Sequence, residues 1–133
     1  MDFTIYLPIT TTAAVLNGAL LVLMTTTIGI IRNRKNLSYG DGGDNRFAKR
    51  VRAHANAVEQ IPIALILLLL AEMQGASAVL LWTIAAALTV GRLCHAVQFW
   101  FQGVPFLLRP IGVVLTLLSQ ITALGWLLVT VVV

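Results

Sequence analysis

The sequence predicts an all-α integral membrane protein, a single domain over residues 1–133 that folds as a bundle of four transmembrane helices. Hydrophobic residues make up 59% of the chain and charged residues only 11%, whereas about 25% of a soluble domain is charged. The apolar residues form four blocks, each near the roughly 20 residues that one membrane-spanning helix needs. Most of the basic residues lie in one short region between the first two blocks.

The first helix is predicted over about residues 8–31. No residue from 3 to 31 is charged, and Pro8 suits the first turn of a helix. Residues 1–3 offer no basic segment and no small-residue cleavage site follows, so this block is expected to be a permanent span and not a cleaved signal peptide. Asn17, in the middle of the block, is expected to form an interhelical hydrogen bond.

The segment that follows, residues 32–45, is predicted to be a cytoplasmic loop rich in glycine and other turn formers. Seven of the nine Lys and Arg lie in or just after it: Arg32, Arg34, Lys35, Arg46, Lys49, Arg50 and Arg52. Basic residues concentrated beside membrane spans mark the cytoplasmic side. Both termini are then expected on the opposite side, and the positive charge gives no reason to expect a nucleic-acid partner.

The second helix is predicted over about residues 45–73, with Asp44 or Asn45 as its N-cap. Arg52, Asn56 and Glu59 fall within about 60° of one another on this helix. Such a polar stripe is costly in a membrane unless other polar groups meet it. A proline in the middle of the same helix is expected to kink it beside the stripe.

The third helix is predicted over about residues 77–101 and contains one charge, Arg92, on the same face as His95 and Phe99. An unpaired arginine deep in a membrane helix costs at least about 2.5–3.5 kcal/mol. Glu59 is the one acid within the apolar part of a predicted helix, so a buried Glu59–Arg92 ion pair is expected.

The fourth helix is predicted over about residues 110–133, which carry no charge. Arg109 stands directly before it, beside a proline.

The residues that could carry chemistry are few. No spacing of His, Cys, Asp and Glu fits a metal site, so none is expected, and no serine or cysteine has a recognisable base beside it. What remains is a cluster of arginines, histidines and an asparagine with one glutamate, which suits a small anionic ligand bearing carboxylates. A purely structural and topological role for the same charges is equally open.

Two motifs resemble a known family. The pattern Arg-Ala-His-x-Asn-x-x-Glu-x-x-Pro over residues 52–62 and the run Gly-Arg-Leu-Cys-His-Ala over residues 91–96 are similar to those of the MAPEG family, the membrane-associated proteins of eicosanoid and glutathione metabolism. The Gly-Asp-Gly-Gly loop and the second run resemble its bacterial branch most. The resemblance covers essentially the whole chain. It implies a homotrimer in the bacterial inner membrane, with glutathione as co-substrate bound between adjacent subunits.

The resemblance also implies the site. The glutathione-binding residues would be Arg52, His54, Asn56, Glu59, Arg92, His95 and, at the end of the first helix, Arg32 or else Arg34. Arg109 would be the catalytic residue that stabilises the glutathione thiolate, since a nearby guanidinium favours ionisation of a thiol. A lipophilic substrate would arrive through the membrane lipids.

Three functions are therefore considered. The first is a membrane-bound glutathione-dependent transferase or peroxidase acting on lipophilic electrophiles. The second is a non-catalytic member that binds lipid or fatty acid, favoured because Gln60 and His95 stand where the eukaryotic synthases carry tyrosines. The third is a small multidrug exporter. It is disfavoured because such proteins carry their essential carboxylate in the first helix, which has none here.

Overall fold

Four α-helices account for most of residues 6–132, the part of the chain that the computed structural model describes: α1 (Pro8–Arg34), α2 (Asn45–Met73), α3 (Ala78–Trp100) and α4 (Leu108–Val132). Each is long and apolar enough to cross a membrane. No strand occurs within these residues. The predicted all-α membrane fold is confirmed. The expectation about a signal peptide concerns residues 1–3, and the predicted last residue of helix four is 133; both lie outside the described residues.

The helices α2 and α3 form the centre of the bundle, because each contacts all three other helices of the described chain. Helices α1 and α4 lie on opposite sides and do not contact each other within residues 6–132. Polar contacts show which ends come together. Arg50 near the start of α2 donates to the carbonyl oxygen of Trp100 at the end of α3, so the first and third connections lie at the same end of the bundle.

The helix boundaries differ from the predicted ones by up to one turn. Helix α1 continues to Arg34 because basic residues at a helix C-terminus are favoured by the helix dipole and can reach the aqueous interface. Helix α4 begins at Leu108, so Arg109 lies in its first turn and not before it. Asp44 is the N-cap of α2, accepting from the backbone N–H groups of Arg46 and Phe47, as one of the two predicted caps.

Helix α2 runs without interruption through Pro62, and the predicted kink stays a prediction. The expected bond from Asn17 is confirmed: its side-chain nitrogen donates to the Thr89 hydroxyl on α3 at 2.9 Å.

Buried polar residues separate two apolar clusters along the bundle. One cluster is built around Leu68 and Ile84, and the other joins Met24, Ile61 and residues near them. At intermediate positions along the helices lie four buried polar side chains: Asn17, Arg92, Thr116 and Ser119. Small residues let the helices approach closely at this level, as is common in membrane bundles. The candidate site lies in this polar layer.

A buried arginine and the candidate ligand site

The candidate site centres on Arg92 of α3, which is only 2% exposed. Its Nε donates to the Thr116 hydroxyl of α4 at 2.8 Å. Its Nη1 donates to the side-chain oxygen of Asn56 on α2 at 2.9 Å, and its Nη2 reaches the carbonyl oxygen of Gly112 at 3.5 Å. Neutral acceptors on two helices, α2 and α4, thus hold the guanidinium of α3 in one orientation.

The predicted Glu59–Arg92 ion pair is wrong. Glu59 is exposed, and Arg92 forms no ion pair with any carboxylate in residues 6–132. Asn56, one turn earlier on the same face of α2, takes the place expected for Glu59. An amide oxygen satisfies a guanidinium N–H without the cost of taking a second ion out of water, which for a buried pair can exceed the Coulombic gain. The Arg92 guanidinium is therefore hydrogen-bonded, but no negative charge among residues 6–132 compensates its positive charge.

A small cleft between α2 and α4 opens onto this guanidinium. Its volume is about 70 Å³, and it is lined by Asn56, Gln60, Arg92, Val113, Thr116 and Leu117. Gln60 is fixed at its edge because Gln120 donates to both the backbone oxygen of Gln60 at 3.2 Å and its side-chain oxygen at 3.0 Å. The cleft is polar at its base and offers a cation to whatever enters it.

The α4 contributors, Thr116 and Gln120, were not found from the sequence. The available signal was the spacing of small and polar residues on α4, where Gly112, Thr116 and Ser119 recur at helical intervals. That pattern indicates a polar helix face that meets another helix. It does not tell which side chain the face meets.

The other expected site residues on α2 lie outside this network. Arg52 and Glu59 are exposed and form no side-chain hydrogen bond with the described residues. His54 is half-buried and faces α1 instead, where its Nε2 lies 2.8 Å from the Thr25 hydroxyl. The helix-two motif therefore presents Asn56 toward α3 and α4 and His54 toward α1, and it leaves Arg52 and Glu59 free on the surface.

His95 and Arg109 both contact the aromatic ring of Phe99. The His95 side chain is buried, and its ring centroid lies 5.0 Å from that of Phe99 in a tilted arrangement. The Arg109 guanidinium lies 5.6 Å from the centroid of the same Phe99 ring, a cation–π distance. Arg109 itself is exposed at the start of α4. It can therefore reach a ligand on the surface near the loop end of α3.

Arg32 lies apart from these groups. It is half-buried at the end of α1, and its Nη1 reaches the carbonyl oxygen of Ser38 in the following loop at 3.4 Å. Within residues 6–132, no three His, Cys, Asp or Glu side chains converge in a way that could hold a metal ion.

The four helices, the polar motif on α2 and the buried arginine of α3 are the features that the sequence analysis associated with one family of small membrane proteins. The comparison with known proteins identifies the same family. The model of the MAPEG family matches residues 10–129, and the chain belongs to that family. The predicted family resemblance is confirmed.

The chain is also similar to bacterial membrane proteins. The inner membrane protein YecN of Escherichia coli strain K12 is 38% identical over 86 residues, which cover 65% of this chain and 66% of that protein. The YecN protein of Escherichia coli O6:H1 strain CFT073 matches equally. The chain thus spans just under two thirds of the length of the curated relatives it matches. No solved structure matches it.

Proposed function

We propose that this protein is a membrane-bound, glutathione-dependent transferase or peroxidase that acts on lipophilic electrophiles, and that it works as a homotrimer in a bacterial inner membrane. The observation that carries the proposal is the Arg92 guanidinium, buried at 2% exposure with only neutral partners among residues 6–132. An arginine within a membrane span is costly and typically marks a functional site. A ligand carboxylate would compensate its charge.

The electrostatics near Arg92 support an anionic ligand with more than one charge. Arg52 and Arg109 are exposed cations, one on α2 and one at the start of α4. Glu59 is exposed on α2 and free to pair with a ligand ammonium group. Glutathione offers two carboxylates, one ammonium group and a thiol, so its charges complement this set.

A second copy of the chain would complete the site. The cleft beside Arg92 has a volume of about 70 Å³, which is about two waters' share of liquid volume and far too little for a tripeptide. Arg52, Glu59 and Arg109 are exposed, and each lies within four residues along its helix of a residue that lines the cleft. In the proposed trimer, the α1 side of the neighbouring subunit covers this surface and contributes Arg32 and His54.

Arg109 has the position required to stabilise a thiolate. It lies in the first turn of α4, where the dipole of the helix N-terminus also favours negative charge. An ordinary thiol with a pKa near about 8.5 is mostly protonated at neutral pH, and a guanidinium beside it favours the thiolate. The thiolate would attack the electrophilic carbon and expel its leaving group. With a lipid hydroperoxide the thiolate would attack the terminal peroxide oxygen and break the O–O bond, releasing an alkoxide that takes a proton to become the alcohol. The glutathione sulfenic acid formed would then react with a second glutathione to give the disulfide and water.

The loop between α1 and α2 is placed in the cytoplasm in this proposal, together with the connection between α3 and α4. Both connections lie at the same end of the bundle. The last turn of α1, the loop and the first turns of α2 together hold seven of the nine Lys and Arg of the chain, and such clusters stay on the cytoplasmic side. Glutathione would then reach the site from the cytoplasm.

The test is glutathione binding to detergent-purified protein by calorimetry. We expect the wild type to bind, Arg52→Ala to lose binding, and Arg109→Ala to keep binding but lose the ultraviolet absorbance of the bound thiolate. Lys49→Ala, which removes another exposed cation of α2, should bind as the wild type does. Absence of binding by the wild type, or of both aryl-halide conjugation and lipid-hydroperoxide reduction, would contradict the proposal.

A non-catalytic, lipid-binding member of the family is the second candidate. It is favoured by Gln60, whose side-chain oxygen is already occupied by Gln120 at a position next to Glu59 where a ligand contact would be expected. A fatty acid that copurifies with a protein lacking glutathione affinity would decide for this candidate.

A further inference from the structure

A groove between α1 and α3 lies on the side of the central helices away from the Arg92 cleft. Its volume is about 290 Å³, and Leu20, Met24, Thr27, Ala96, Trp100 and Phe101 are among the residues that line it. The lining is almost entirely apolar. The α1 residues from Leu20 to Thr27 cover about 10 Å of helix, so the groove runs from the loop end of α3 about a third of the way into a hydrocarbon core of roughly 30 Å.

The mouth of this groove is positively charged. The Arg50 guanidinium lies 5.8 Å from the centroid of the Trp100 ring, and its Nη2 donates to the Trp100 carbonyl oxygen at 3.1 Å. The Arg50 Nε is buried and has no hydrogen-bond partner among the described residues. Arg34 follows Thr27 by seven residues, two helical turns, and therefore stands on the groove-facing side of α1. One cation from α1 and one from α2 thus stand near the open end of this apolar groove.

We propose that this groove binds an anionic phospholipid, with one acyl chain between α1 and α3 and the phosphate group against Arg50. Basic pockets between transmembrane helices at the cytoplasmic side suit anionic headgroups, which are enriched in that leaflet. Arg50 has a donor left for a phosphate oxygen because the Trp100 carbonyl engages only Nη2, and Nη1 of this half-buried side chain is unpaired among the described residues. Arg50 and Trp100 are absent from the glutathione site proposed above, so the lipid site is separate from it.

Charge also argues against a second copy of the chain as the occupant. All copies in one membrane would have the same orientation, with seven basic residues at the end where the groove opens. In the trimer proposed above, the carboxylates of glutathione would offset the arginines that meet between subunits. Arg34 and Arg50 have no carboxylate partner among the described residues, so closing the mouth of the groove with another copy would bring like charges together without such compensation, which is unfavourable. A lipid phosphate brings the opposite charge to the same place.

Trp100 provides a direct test, because it lines the groove and tryptophan fluorescence is quenched by brominated acyl chains. The chain has three tryptophans, so Trp82→Phe with Trp126→Phe leaves Trp100 as the only one. This protein is placed in bilayers that mix phosphatidylglycerol with phosphatidylcholine, with bromine on one lipid at a time. We expect brominated phosphatidylglycerol to quench Trp100 with about fivefold higher relative affinity, which corresponds to about 1 kcal/mol for one basic residue near the surface.

Two charge variants locate the effect. Arg50→Gln should bring the relative affinity of the two lipids to about one, while Lys49→Gln, which removes an exposed cation from the adjacent position, should leave the preference unchanged. Equal quenching by both lipids in the wild type would overturn the proposal. An equal loss in the two variants would also overturn it, because the preference would then come from the general positive surface.

A groove-filling variant tests the acyl-chain part and keeps the test decisive if Arg50→Gln does not fold. Val97 lines the groove, and Val97→Phe should reduce the preferential quenching by phosphatidylglycerol although every charge is kept. Arg50→Lys should retain part of the preference. If Val97→Phe leaves the preference intact, no chain occupies the groove and the proposal is wrong. Neither measurement involves glutathione, so its outcome is independent of the proposed enzymatic function.

Discussion

Gly91 of α3 and Gly112 of α4 bring the two helices into backbone contact directly beside Arg92. A Cβ atom on Gly112 would lie 2.6 Å from the Gly91 carbonyl oxygen and 2.8 Å from the His95 backbone nitrogen, and a Cβ on Gly91 would lie 2.9 Å from the Gly112 carbonyl oxygen. The Gly112 carbonyl also accepts from the Thr116 hydroxyl at 2.8 Å and is reached by Arg92. The close approach therefore helps to build the set of acceptors that holds the guanidinium.

Gly112→Ala is expected to destabilise the protein. The added methyl group would meet backbone atoms of α3 that cannot move aside. Overpacking of this kind typically costs about 1–3 kcal/mol of stability. Thermal unfolding in detergent measures the effect. Gly125→Ala in the same helix is the matched control, since nothing lies within 4 Å of its added Cβ. The control should be neutral or stabilising by up to about 1 kcal/mol; equal destabilisation by both variants would contradict the contact.

Thr116→Val is expected to weaken both the fold and the ligand site. The substitution keeps the shape of the side chain but removes the oxygen that accepts from Arg92 Nε at 2.8 Å. Hydrogen bonds to charged groups contribute about 1.5–3 kcal/mol, so unfolding in detergent should show a loss in that range. Glutathione affinity should fall as well because the guanidinium is no longer held toward Asn56.

The control for this variant is Thr83→Val. The Thr83 hydroxyl donates to the Val79 carbonyl of its own helix and is exposed, so its loss should change stability little. If Thr116→Val had no greater effect than Thr83→Val, the bond to Arg92 would contribute nothing measurable.

The four helices could be predicted from the sequence, because long apolar blocks and a basic loop indicate membrane spans whatever the tertiary packing. The hydrogen-bond partners of Arg92 could not be predicted from the sequence. Asn56 and Glu59 share one face of α2, so periodicity alone does not show which of them meets α3, and the ion pair predicted from charge was wrong. Two acceptors, Thr116 and the Gly112 carbonyl, belong to α4. Their contact depends on how closely α3 and α4 approach, which is a property of packing.

The sequence alone also does not show which glycines lie in helix contacts. Gly112 and Gly125 both lie on α4 and are both small residues in an apolar segment. Only the first faces α3 at close range. Sequence can mark both as candidates for helix contact, but the choice requires the rotation of α4 about its axis.

Glu72→Gln is expected to loosen the start of α1. The Glu72 carboxylate at the end of α2 accepts from the backbone N–H of Ile9 at 3.0 Å and of Thr10 at 2.7 Å, two donors that the first turn of α1 leaves without intrahelical partners. An amide retains one acceptor oxygen and loses the negative charge that favours a helix N-terminus, so a loss of about 1–2 kcal/mol is expected.

Amide hydrogen exchange at Ile9 and Thr10 measures this effect locally. Both amides should exchange faster in Glu72→Gln than in the wild type. Met73→Gln, at the exposed neighbouring position, should leave them protected. Unchanged exchange in Glu72→Gln would show that the carboxylate does not hold the two helices together.

Asp44→Asn is expected to lower thermal stability near neutral pH but not in strong acid. Lys35 donates to the Asp44 carboxylate at 2.6 Å, and this bond with two backbone N–H groups lowers its pKa from the usual 3.8 to about 2. The stabilisation is present above the unfolded pKa and is lost as pH falls through the folded value. The melting-temperature difference from wild type should therefore shrink between about pH 6 and about pH 2. Asp41→Asn is the control, because among residues 6–132 the Asp41 carboxylate accepts from the backbone N–H of Gly43 alone. A pH-independent difference for Asp44→Asn would contradict the assignment.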